Sequence, residues 1–382
     1  MNMEYDVIVV GAGPAGLPAA KASSEYGAKT LLIEKNEVIE ARKPCGEATS
    51  LSTFRDLGIE PKPYIVLSKV KPRVYAPNGK YIDLEEASTY SINKTMFLQE
   101  LAIKAAEAGC EIHVRERVIN ITRRDKYMYV KTNRAVYKAK VVIGADGYNS
   151  IVARSLGVKE RSEPIPTVIY LMANVNLSEP DIARFYISNK IAPKGYAWIF
   201  PRVNKLAEVG IGVRGGVAKE YLDKFVKMHS NELGNAQIID YRAAVVPIGG
   251  LISKNYGDGF ILIGDAAGTV IPLTGAGIHS SGVAGLIAGK VAAEAVELGD
   301  WSESTLSKWR SEYMDWIKKI ELSLKVMRFL EKLTDDELNQ LADILNPDDI
   351  VKLARGEDVF KVAFRLLKHP GIAFRLAKAI LS

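Results

Sequence analysis

An α/β fold is predicted: a parallel sheet with flanking helices, interleaved with an antiparallel β-sheet domain and followed by a helical C-terminal region. Three observations carry it. Residues 1–34 read as strand, glycine-rich turn, helix, strand. Two more strand, glycine-turn, helix units recur over Lys138–Gly157 and Gly257–Gly285. Between these units run segments rich in β-branched and aromatic residues, and past Asp300 the periodicity turns helical.

Tyr5–Val10 reads as a buried strand, closing on the apolar run Val7–Val10. Gly11-Ala12-Gly13-Pro14-Ala15-Gly16 follows at once, then a helix pattern ending at Gly27, then a strand closing on Glu34 and Lys35. This is the full βαβ context of a dinucleotide site. Gly11 permits the tight turn, Gly13 lets the backbone approach a pyrophosphate, and Gly16 lets helix and strand pack closely. The helix N-terminus offers free N–H groups and partial positive charge to phosphates. Glu34 can accept hydrogen bonds from ribose hydroxyls.

In the second unit a strand ends at Gly144-Ala145-Asp146-Gly147, with Ser150 and Arg154 on the helix behind. In the third, a strand ends at Gly264-Asp265 and a glycine-rich turn leads through Gly275 and Gly277 to Ile278 and a helix of small residues. By motif position the nucleotide-binding domain takes residues 1–70, 90–160 and 250–298. Residues 71–89 and 161–249 form the antiparallel sheet domain, and 299–382 the helical region. Thr334-Asp335-Asp336-Glu337 is a capping box, and Asn346-Pro347-Asp348-Asp349 opens another helix. The closing stretch Asp358–Ser382 is basic and amphipathic, suited to a membrane surface, a substrate tail or the protein's own core.

Composition narrows the function. Of 382 residues, 48% are hydrophobic and 25% charged, enough apolar material for a full core in more than one domain. The formal charge is +6, yet there is no long Lys/Arg run, which argues against nucleic-acid binding. Two cysteines, Cys45 and Cys110, and four histidines make neither a disulfide framework nor a structural metal site. The longest apolar stretch, Gly282–Val296, is broken by Lys290 and Glu294, so no bilayer-spanning segment is expected. Abundant Lys and Glu with few Cys, Gln and His lean toward a thermophile.

Two further elements bear on chemistry. In Pro193–Pro201, Tyr196, Trp198 and Phe200 alternate, so a strand puts them on one face. Such a wall suits a long hydrocarbon, although periodicity alone equally fits core packing. In Arg42-Lys43-Pro44-Cys45-Gly46-Glu47, Gly46 permits close backbone approach, and Cys45 is either a proton donor or an inert buried thiol. Gly210–Gly215 is also G-x-G-x-x-G, but no acid-ended strand follows at the right spacing. It reads as a strand and a bend.

The three glycine-turn units, in this order, resemble the flavoprotein hydroxylase group built on the p-hydroxybenzoate hydroxylase fold. The P-x-x-Y-x-W-x-F-P and C-G-E elements resemble the geranylgeranyl reductase family. The resemblance implies a Rossmann-like domain holding FAD at Gly11, Gly13, Ala15, Gly16, Glu34 and Lys35. It puts Lys94, where the group usually carries Arg, near the pyrophosphate. Asp146 bridges FAD and the substrate side, and Asp265 binds the ribityl or ribose part. Gly275, Gly277 and Ile278 lie beside the isoalloxazine, with Cys45 and Gly46 close by.

The same resemblance implies a reductase that saturates C=C bonds of geranylgeranyl chains in archaeal-type membrane lipid precursors, by hydride from reduced flavin plus a proton. Cys45 is then the catalytic acid, and Tyr196, Trp198 and Phe200 bind the substrate. The electron donor, NAD(P)H or a reduced protein carrier, stays open. A cytoplasmic enzyme in peripheral contact with the inner membrane face follows from such a substrate. The alternatives are an FAD monooxygenase acting on an isoprenoid or quinone, and a non-catalytic flavin-dependent RNA-binding or assembly protein.

Overall fold

An apolar strand end such as Val7–Val10 needs covering on both sides and a partner at each edge, and Met3–Val10 has both edges paired. In the computed structural model, which describes residues 3–41, 43–84, 89–358 and 362, it lies inside an eight-stranded sheet. Val136–Gly144 pairs with one edge and Thr30–Ile33 with the other, both parallel. Phe260–Leu262 and Glu111–His113 extend the parallel order outward. Tyr256–Gly257 closes one end antiparallel, and Val118–Arg124 with Tyr127–Thr132 forms an antiparallel ribbon on Val136–Gly144. The register aligns Val10, Gly144 and Leu262. All three glycine turns therefore leave the sheet at the carboxyl ends of adjacent strands, where ligands bind in open α/β sheets.

Two glycine-lined helices cover this sheet. A Cβ on Gly285 or Gly289 of the Ile278–Glu297 helix would stand 2.1 or 2.2 Å from a backbone oxygen of Ala15 or Ala19. Only glycine lets that helix lie so close to Gly16–Glu25.

The second sheet has nine strands. Its main path runs Gln237–Pro247, Pro164–Ala173, Leu206–Gly212, Tyr196–Arg202, Ile182–Tyr186, Val66–Tyr75, Thr89–Ile92 and Ala48–Thr49, with Tyr81–Asp83 on Val66–Tyr75. Only the Ile182–Tyr186 and Val66–Tyr75 pair is parallel. The chain enters this sheet earlier than the motif positions suggest. The divisions expected near residues 70 and 90 fall inside the strands Val66–Tyr75 and Thr89–Ile92. Glycine motifs mark turns, whereas pairing is decided by distant partners, here Ile182–Tyr186 for Val66–Tyr75.

The second G-x-G-x-x-G is the strand Leu206–Gly212 and the bend after it. Its glycines serve packing: a Cβ on Gly210 would meet the Trp198 ring at 2.2 Å. Past the long helix come Met314–Leu330, Asp335–Ile344 and Pro347–Arg355. Thr334 with Glu337 and Asn346 with Asp349 form capping boxes. Arg214 and Arg328 interlock with Glu163 and Glu331, tying the sheet to the Met314–Leu330 helix. Of the basic closing stretch, all but Asp358 and Val362 lie outside the described residues.

Candidate active site

The first turn is shaped by what its glycines exclude. Gly11 has φ 101°, and a Cβ there would stand 2.6 Å from the Ala145 carbonyl oxygen. One on Gly16 would stand 1.9 Å from the Gly11 oxygen. A Cβ on Gly13 would meet nothing within 4 Å, because that position opens onto the cavity. The Ala12 N–H donates to Glu34 Oε2 at 2.9 Å and the Asn36 N–H to Oε1 at 2.8 Å. Each carboxylate oxygen keeps a further lone pair for a ribose hydroxyl. An open glycine cradle at a helix start beside a buried acid fits the pyrophosphate and ribose of FAD.

The other two turns complete that edge. Asp146 Oδ2 accepts the Ile151 and Val152 N–H groups at 2.6 and 3.2 Å, so this carboxylate organises the following helix as well as lining the cavity. Burial raises its pKa, and Oδ1 is buried without a hydrogen bond. Asp265 is ion-paired with Lys43. Gly275 has φ 65°, and Gly277 is the N-cap residue of Ile278–Glu297, so the first N–H groups of a 20-residue helix lie at the cavity wall. Lys94 is the buried first residue of Lys94–Glu107, and its backbone N–H reaches Glu47 Oε2 at 3.3 Å.

The cysteine turn meets the aromatic strand. A Cβ on Gly46 would lie 2.5 Å from the Phe200 ring, so only glycine lets the two touch as they do. The Glu47 N–H donates to Cys45 Sγ at 3.4 Å. Tyr196 and Trp198 rings are 5.6 Å apart, Trp198 and Phe200 5.9 Å, and Phe185 adds a fourth ring 4.9 Å from Phe200. The Tyr196 hydroxyl donates to the Thr274 carbonyl at 2.5 Å, anchoring this wall to the third turn. Burial holds the Tyr196 phenol well above its ordinary pKa, so it stays protonated.

A single cavity of about 2240 Å³ joins these parts. Gly11, Gly13, Ala15, Glu34, Lys35, Cys45, Gly46, Lys94, Asp146, Asp265, Gly275, Gly277, Ile278, Tyr196, Trp198 and Phe200 all line it. Gly16 does not; it works behind the turn. The lining also takes in apolar Ile165, Val246, Met327, Leu338, Leu341 and Leu353, with charged Lys319, Glu331 and Arg355 among the residues of the same helical region.

Two charged residues, Arg202 and Glu208, escaped the sequence reading, and Glu47 was named there without a role. Arg202 donates to Glu47 Oε2 at 3.2 Å and to Glu208 Oε2 at 3.1 Å, and Trp198 Nε1–H donates to Glu208 Oε1 at 3.3 Å. The available signal was Arg202 just after Phe200-Pro201 and a lone acid in the strand-like Ala207–Val213. Cys110 lies elsewhere, in the core beside the first sheet, where burial pushes its thiol up to about 12. Among the described residues there is no cluster of metal-ligating groups, and no helix is long and apolar enough to cross a membrane.

Residues 165–246 match the geranylgeranyl reductase catalytic domain, and residues 8–161 the pyridine nucleotide-disulphide oxidoreductase family. The chain is 39% identical to the digeranylgeranylglycerophospholipid reductase of Methanocaldococcus jannaschii, over 90% of this chain and 91% of that protein. A crystal structure of a geranylgeranyl bacteriochlorophyll reductase-like protein from Thermoplasma acidophilum superposes with TM-score 0.88 at 30% identity, covering all of both chains. The halogenase PltM in complex with phloroglucinol and FAD shares the fold, with TM-score 0.71 at 15% identity over 98% of this chain and 94% of that one.

Proposed function

The chain belongs to the geranylgeranyl reductase family and is an FAD-dependent reductase of geranylgeranyl lipid chains, and we propose that Cys45 and the aromatic wall carry out the alkene chemistry on an archaeal-type phospholipid precursor. The observation that supports this most is the single cavity, which takes in the glycine turns, the aromatic wall Tyr196–Phe200 and a length of aliphatic side chains from Ile165 to Leu353. A short polar substrate would leave that apolar length unused, whereas a hydrocarbon chain fills it.

FAD, in its reduced form, supplies the hydride for one alkene carbon. The remaining demands fall on the protein. Gly13 and the helix beginning at Gly16 bind phosphate, Glu34 and Asp265 hold sugar or ribityl hydroxyls, and Lys94 balances pyrophosphate charge. Tyr196, Trp198 and Phe200 hold the chain and face the positive charge that protonation creates at the branched carbon. Cys45 holds the proton for that carbon's neighbour. Phe200 packs on Gly46 at that junction, where the chemistry requires water to be kept from the charge.

A lipid of this kind resides in a bilayer, so the reading includes peripheral contact with the inner membrane face. Electrons come from NAD(P)H or a reduced protein carrier. The test is anaerobic: the dithionite-reduced holoenzyme is mixed with a geranylgeranyl phospholipid. Product mass should rise by two for each double bond. Oxygen appearing in the product under aerobic NAD(P)H turnover, with no saturation under anaerobic conditions, overturns the reading in favour of a monooxygenase.

A further inference from the structure

On one face of Leu206–Gly212 the residues are Leu206, Glu208, Gly210 and Gly212. The absent side chain at Gly210 makes room for the Trp198 indole, which lies across it. Two residues back along the same face, Glu208 receives the indole N–H at 3.3 Å. Trp198 itself lines the cavity, between Tyr196 and Phe200, whereas Glu208 is buried behind it and does not. A carboxylate has thus been sealed beneath the aromatic wall, where hydrophobic packing would have been the easier solution.

We propose that Glu208 is a positioning residue for alkene reduction, one that fixes the Trp198 indole through its N–H and, as an anion, enriches the electron density of the ring that faces the substrate. The inference rests on the alkene-reductase reading. Protonation draws the alkene π pair into a new C–H bond and leaves positive charge on the branched carbon until hydride fills it. The attraction between a cation and an aromatic face is electrostatic. A negative charge hydrogen-bonded to the indole N–H strengthens it, in a dry site where such effects are largest.

The charges around Glu208 make its state adjustable. Arg202 reaches it from the Tyr196–Arg202 strand, and Glu47 stands on the far side of Arg202. Arg242, on Gln237–Pro247, lies 3.7 Å behind Glu47, and the Cys45 thiol is joined to Glu47 through its backbone N–H. The facing residue on Pro164–Ala173 is the uncharged Leu171. Burial pushes the Glu208 carboxyl up to about 7; Arg202 pulls against that rise and Glu47 adds to it. Burial thus favours the neutral acid and Arg202 favours the anion that serves the ring, a balance that pH can move.

The test compares wild type with Glu208→Gln, which keeps the shape and an acceptor for the indole but cannot ionise. FAD content, flavin reduction by dithionite and anaerobic saturation of a geranylgeranyl phospholipid are followed from pH 6 to pH 8.5. Wild-type saturation should rise as pH passes through neutrality. E208Q should retain flavin and its reduction, lose that pH dependence, and be slower above pH 8 by roughly tenfold, the scale of a desolvated cation–π contribution. The indole 15N–1H resonance of Trp198, identified by its loss in Trp198→Phe, should titrate in wild type and stay fixed in E208Q. E208Q with wild-type rates at every pH overturns the proposal, as does a slowing that merely tracks lost FAD. If wild type saturates no geranylgeranyl lipid, the functional reading falls first and this inference with it.

Discussion

The ring of Phe200 rests on the backbone of Gly46, 154 residues earlier in the chain, at a separation that leaves no room for a methyl group. Through this contact the cysteine turn and the aromatic wall become one surface. In Gly46→Ala the new Cβ would lie 2.5 Å from the ring, and Phe200 is hemmed in by Phe185 and Trp198. We expect overpacking of about 1–3 kcal/mol in thermal or urea unfolding. FAD should remain bound while lipid saturation drops. Unchanged saturation would mean that the contact does not matter to the chemistry.

The two thiols should separate cleanly. Cys45 lines the cavity, whereas Cys110 is buried in the core with its thiol driven up to about 12. Cys45→Ala should keep FAD and its reduction by dithionite but slow alkene saturation by about 10²-fold, the usual scale of a lost acid. Cys110→Ala should alter stability alone. Near-normal turnover of Cys45→Ala would move the proton to another group or a held water.

Flavin retention should depend on the glycine turns by two routes. Glu34→Ala and Asp265→Ala remove acceptors from the cavity wall and should weaken FAD binding in a folded protein. Gly16→Ala acts from behind, because its Cβ would stand 1.9 Å from the Gly11 oxygen. That variant should lose flavin and unfold at lower temperature. Absorbance of released FAD and a melting curve, read together, distinguish the two.

What the sequence made legible follows the range of each interaction. Gly11, Gly16 and Glu34 satisfy demands within one βαβ unit, so their spacing alone announced the turn. The capping boxes at Thr334 and Asn346 are equally local. Lys43 on Asp265 and Arg202 on Glu47 join residues 222 and 155 positions apart, and no periodicity encodes such pairs. Glu208 was hidden by its surroundings, one acid among the apolar residues of a strand. Gly210 looked like part of a nucleotide motif because glycine in a strand leaves the same trace whether a phosphate or an indole fills the space.

Acid stability offers a prediction away from the site. Arg184 and Glu232 form a buried pair, with Nη1 to Oε2 at 2.5 Å and the Ser178 hydroxyl on Oε1 at 2.8 Å. Burial opposes ionisation, but Arg184 and Ser178 prevail and hold the Glu232 carboxyl down to about 2. Because the folded pKa is depressed, this stabilisation is complete above the unfolded carboxyl range, near pH 4.5, and fades as pH falls toward 2. Glu232→Gln should flatten that limb of the stability curve. Arg184→Met, leaving the carboxylate unpaired, should cost about 3–5 kcal/mol at neutral pH. Equal acid sensitivity in wild type and E232Q would contradict the assignment.

The alignment of Val10, Gly144 and Leu262 has a consequence for how this protein is made. Met3–Val10, synthesised before both, waits for a neighbour at Val136–Gly144, and that neighbour waits for Phe260–Leu262. At ordinary rates of elongation the interval is on the order of tens of seconds. During it the nascent chain holds an apolar, unpaired strand edge, the kind that invites pairing with other chains. The glycine turns come together only when the third arrives, and the helix of Ile278–Glu297 must follow before Gly16–Glu25 is covered. Flavin capture is thereby a late event in synthesis, and release of an intact cradle coincides with burial of the last exposed strand.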